Sequence, residues 1–90
     1  MEKVIKNTIE FLLNNLKEET KTEYEAELKT DLSGISEITI SPKYSDNGFL
    51  FKLTKHLGKA ELKISDKYCI KLTTTTVETL AALMNNLELQ

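Results

Sequence analysis

Arginine and tryptophan are absent from this chain of 90 residues, cysteine, histidine and proline occur once each, and glycine occurs three times. Each shortage closes a class of function. Cys69 alone permits no intrachain disulfide, and with His56 it falls short of a metal-ligand cluster, so no metal or cofactor is expected. Gly34, Gly48 and Gly58 are too dispersed to build a phosphate-cradling loop or a dinucleotide fingerprint. Without arginine there is no bidentate fork for phosphate or guanine, and a net charge of −2 is the wrong sign for a nucleic-acid footprint.

No apolar run approaches the roughly 20 residues that cross a bilayer. The opening Met1-Glu2-Lys3 is not followed by the apolar core and small-residue cleavage site of a signal peptide. A cytoplasmic location without membrane contact is therefore expected. Catalysis is not. His56 stands beside Leu57-Gly58 in a predicted turn with no carboxylate placed to orient it, Cys69 has no defined base, and Glu18-Glu19 fall at a solvated helix end.

Against these shortages, 40% hydrophobic and 29% charged residues are globular composition, enough apolar surface to offset the entropy of ordering the chain. At this length one core is possible and a second is not, so residues 1–90 are read as a single domain. Abundant lysine, asparagine and isoleucine point to a bacterial or phage origin.

Ile5, Ile9, Leu12 and Leu16 recur at i, i+4 and i+7, and no Gly or Pro interrupts residues 2–16, which predicts an amphipathic helix. Leu13 flanks the stripe, whereas Val4 and Phe11 fall on a second face and become candidate contacts with the last helix or another copy. From Lys21 the period shortens to two. Tyr24, Ala26 and Leu28 alternate with acids, which predicts a strand, although Glu, Ala, Leu and Lys also suit a helix. Asp31, Ser33 and Gly34 supply turn chemistry, and Ile38 and Ile40 begin another alternating stretch.

Asn47-Gly48 suits a primed two-residue hairpin turn. Centring it there pairs Tyr44 with Phe51, Pro42 with Leu53 and Lys43 with Lys52, and leaves Pro42 awkward in mid-strand. A second reversal at Leu57-Gly58 pairs Leu53 with Leu62 and Phe51 with Ile64. A three-residue loop at 65–67 then pairs Ile64 with Tyr68, Leu62 with Ile70 and Ala60 with Leu72 in a final strand over 68–73, where Cys69 faces outward. Thr75 and Glu78 form a candidate capping box for a closing helix whose inner face is Val77, Leu80, Ala81, Met84 and Leu87. The expected fold is α+β and two-layered: an antiparallel meander of four to five strands flanked by an N-terminal and a C-terminal helix.

That register aligns Lys43, Lys52 and Lys63 across three strands, with Lys55, Lys59 and Lys71 around them. Like charges opposite one another are unfavourable. The row either splays into solvent, where exposed lysine also discourages edge pairing, or meets an anionic partner. Net charge is uneven: −3 over residues 1–31, +3 over 32–73 and −2 over 74–90.

The expected function is a non-catalytic protein-interaction module of the inhibitor, immunity or adaptor type. Its partner is another protein or a second copy of the chain. The alternative is an accessory nucleic-acid-binding protein that uses the six lysines. Strand edges offer the module a pairing mode, and the last strand, less charged than the first, is the expected one.

Overall fold

The predicted first helix is α1, Glu2–Thr20, in a computed structural model that describes residues 2–45, 48–68 and 70–90. Its buried positions are Ile5, Ile9, Leu12 and Leu16, the stripe expected from spacing. The helix ends where Lys21 enters the left-handed region at φ 61°. Its N–H donates to the Lys17 carbonyl at 2.9 Å, closing the last turn.

Residues 24–31 form strand β1, Tyr24–Asp31, rather than a continued helix. Tertiary pairing outweighs helix propensity here, because every residue from Tyr24 to Asp31 finds a partner on β2, Gly34–Pro42. β3, Phe51–His56, and β4, Lys59–Ile64, complete an antiparallel sheet in the order β1-β2-β3-β4. The hairpin at Leu57-Gly58 has the expected register, with Phe51 opposite Ile64, Leu53 opposite Leu62 and Lys52 opposite Lys63. Both turn residues have positive φ, 53° and 78°, as a primed turn requires.

The β2–β3 register differs from the expected one by four residues. Ile40, not Tyr44, opposes Phe51, and Ile38, not Pro42, opposes Leu53. Consequently Thr39, not Lys43, faces Lys52. Proline explains the shift. Lys43 N–H donates to the Glu23 carbonyl on the β1 side, so the alternation of the ladder aims the Pro42 nitrogen at β3, where it has no hydrogen to give. The β2–β3 ladder therefore stops at Ile40. There the Leu50 N–H donates to the Ile40 carbonyl at 2.7 Å while Phe51 is the paired residue. Two residues set against one is the arrangement of a β-bulge, and it buries Leu50 and Phe51 together. The turn assigned to Asn47-Gly48 lies partly outside the described residues.

No fifth strand forms among the described residues. Tyr68 and Ile70 pack half-buried against the core instead of pairing with β4, because this connection must climb from the sheet to the helical layer. Cys69, expected to face outward, lies outside the described residues.

The second helix, α2, spans Thr74–Leu89 and is capped by Thr73, not by Thr75 as expected. Thr73 Oγ1 accepts from the Thr76 N–H at 3.3 Å and donates to Glu19 at 3.0 Å. The buried face of α2 is also rotated from the predicted one, to Thr76, Thr79, Leu80, Leu83 and Leu87. Packing against α1 decides this. Asn15 Nδ2 donates to Thr76 Oγ1 at 3.1 Å, and Thr79 Oγ1 donates to the Thr75 carbonyl at 2.7 Å. With their hydroxyls satisfied, two threonines can be buried between the helices.

Both helices cover the same side of the sheet, α1 against β1 and α2 against β3 and β4. The core joins Ile5, Leu12 and Leu16 of α1 and Leu83 and Leu87 of α2 to Ile38, Ile40, Phe51 and Leu53 of the sheet. Truncating the fully buried Phe51 to alanine is expected to cost about 3–5 kcal/mol.

Candidate functional site

The rotation of α2 leaves part of its apolar stripe outside the core. Val77 is 50% exposed, Ala81 is exposed and Met84 half-buried. These residues stand beside β4, where Leu62 is half-buried and Ile64 is 46% exposed. Leu62, Ile64, Leu72, Val77, Leu80, Ala81 and Met84 together line a groove of about 290 Å³ with no charged side chain in its wall.

One rim of this groove is unpaired backbone. His56 and Lys59 close a two-residue turn, so odd-numbered residues of β4 bond to β3, a pattern continued by Ser65 N–H donating to the Leu50 carbonyl. Even-numbered residues aim the other way. The Ala60 N–H, pointing outward, is taken at 2.7 Å by Glu88 Oε2 from the end of α2. The outward N–H and C=O groups of Leu62 and Ile64 make no bond to any described residue. An unpaired edge beside an apolar groove is the geometry that takes an added strand.

The sequence-predicted lysines do not gather on one site. Lys52 and Lys63 lie opposite one another on the uncovered sheet face, where Lys52 Nζ sits 4.9 Å from the Phe49 ring centre. The neighbouring row of that face is Lys29, Glu37, Thr54 and Glu61, and Lys29 pairs with Glu37 at 3.3 Å. Lys43 is off this face, 3.9 Å from Glu23. Glu23 also accepts Lys17 at 3.1 Å, and those lysines, Lys17 foremost, hold its carboxyl below the usual glutamate value. Lys55 faces Ala60 on the helix side, Lys59 is exposed at the hairpin end beside His56, and Lys71 is exposed in the connection to α2.

Val4 and Phe11 are 48% and 55% exposed. They line a second groove of about 470 Å³ between the helices, shared with Asn7, Thr8, Thr75 and Glu78. Its walls are partly polar, and both are helices, so it offers no strand edge. Sequence reasoning missed the first groove because it assigned Val77, Ala81 and Met84 to the core and covered β4 with a fifth strand. The available signal was the pair of threonines, whose buried face displaces the apolar one.

Fold and edge together define a two-layer α+β domain with one open, apolar-flanked strand. No helix among the described residues is long and apolar enough to cross a membrane. Compared with known proteins, the chain matches no family model, no curated protein and no solved structure.

Proposed function

We propose that this chain is a non-catalytic protein-interaction module that binds through the groove between α2 and the β4 edge. The observation that supports this is the coincidence of a wholly apolar wall with unpaired backbone groups on Leu62 and Ile64. Each alone is unremarkable on a small domain. Together they supply both terms of strand recognition, directional main-chain hydrogen bonds for affinity and side-chain pockets for specificity. An inhibitor, immunity factor or adaptor acts in this way, by surface complementarity and without chemistry of its own.

The test is affinity capture from native lysate with and without nuclease, using wild-type and Val77→Lys proteins. Val77 is half exposed, so the substitution charges the groove without emptying the core. A stoichiometric protein that survives nuclease and is lost with Val77→Lys supports the assignment. Partners lost on nuclease treatment overturn it in favour of binding through the lysines.

A further inference from the structure

Resting on the protein-binding assignment above, we infer that the occupant of the groove is a second copy of this chain, joined by antiparallel pairing of β4 with β4 about Leu62. The four strands of each copy become one continuous eight-stranded sheet with all helices on the same side. The interface is isologous, one patch meeting itself across a two-fold axis.

Charge selects this register. With Leu62 opposite Leu62, Ala60 falls opposite Ile64 and Glu61 opposite Lys63, so two Glu–Lys pairs form across the seam on the uncovered face. Centring on Glu61 would oppose Glu61 to itself and Lys59 to Lys63, and centring on Lys63 would oppose two lysines, both unfavourable. Centring on Ala60 carries Ile64 past the end of the partner strand. A shift by a single residue breaks the face alternation.

Hydrogen bonding agrees with the same register. Leu62 of each copy exchanges N–H and C=O with its mate, and each Ile64 N–H meets an Ala60 carbonyl. The Ala60 N–H, held within one copy by the exposed Glu88 at 2.7 Å, turns to the Ile64 carbonyl of the second copy as that side chain gives way. Side chains follow: Ile64, Val77 and Met84 of the two copies merge two open grooves into one covered seam. Lys63, which has Lys52 opposite it within the chain and no ion-pair partner among the described residues, gains a carboxylate on its other side.

The experiment is sedimentation equilibrium over roughly 1–300 µM, the range in which a small interface associates. Wild type, Glu61→Lys, Lys63→Glu, the double swap and a mixture of the two single variants are compared. Glu61 and Lys63 are both exposed, so folding is preserved, and circular dichroism checks it. Wild type is expected to dimerise, and each single variant to dissociate roughly tenfold more readily because two like-charge pairs replace two attractive ones. The double swap restores self-association, and the mixed singles form a heterodimer in which both pairs are again opposite in sign.

A monomer throughout the range, or a dimer indifferent to the swaps, overturns the inference. The capture experiment separates the two levels. If the chain is monomeric but a partner is still lost with Val77→Lys, the interaction module stands and only its occupant changes.

Discussion

The side chain of Gln90 binds the backbone of Ile35 as a neighbouring strand would. Gln90 Oε1 accepts the Ile35 N–H at 2.8 Å and Gln90 Nε2 donates to the Ile35 carbonyl at 2.9 Å. The end of α2 is thereby tied to the start of β2, beside Gly34 at φ 115°. A Cβ at Gly34 would stand 2.5 Å from Gln90 Oε1.

Two causes therefore oppose a side chain at residue 34, backbone strain and this close approach. Gly34→Ala is expected to lose about 1–3 kcal/mol in urea unfolding, and Gln90→Ala about 1–2 kcal/mol. Because the two share a contact, Gly34→Ala should cost less in the Gln90→Ala background. Strict additivity would show that strain alone governs the site.

Leu57 has the left-handed conformation at φ 53° with its side chain 89% exposed. Leucine has nothing to pack there and disfavours that backbone. Leu57→Asn is expected to raise stability by about 1 kcal/mol, measured as a higher urea midpoint at unchanged slope. A lower midpoint would mean that the leucine makes a contact in solution that offsets its strain.

The Tyr68 hydroxyl is buried without a hydrogen-bond partner among the described residues. Removing it relieves a desolvation cost while keeping the ring. Tyr68→Phe should stabilise the fold by about 1 kcal/mol. An equal loss would reveal a bound water or partner on that oxygen.

Asp31 accepts from the Ser33 hydroxyl at 2.7 Å and the Ser33 N–H at 2.8 Å. These bonds, the hydroxyl first, with Lys55 as a lesser influence, hold its pKa below the ordinary 3.8. A carboxyl depressed in the folded state contributes stability that is full above its unfolded value and lost as pH falls through the folded one. The advantage of wild type over Asp31→Asn should be constant near neutrality and should shrink from about pH 4 downward in acid titrations of stability. An advantage that does not change at all between neutrality and strong acid would exclude the carboxylate as its source.

What the residues determined by themselves is local. The alternating four- and three-residue spacing in α1, the period of two in the strands, and the positive-φ turn at Leu57-Gly58 follow from short-range sterics and from which positions must leave water. The order of elements and the β3–β4 register were legible for that reason, and with them the adjacency of Lys52 and Lys63.

Tertiary structure decided what depends on competition between distant segments. Pro42 has no N–H to offer β3, but which neighbour it faces is settled only when β1 takes the other side, and so the β2–β3 register moved by four residues. The face of α2 with Val77, Ala81 and Met84 is the more apolar one, yet packing against α1, with Asn15 donating to Thr76, turns Val77 and Ala81 outward. The candidate site exists because of that rotation: an apolar surface left over when two helices share one sheet, next to a strand edge that no other described residue pairs past Ala60.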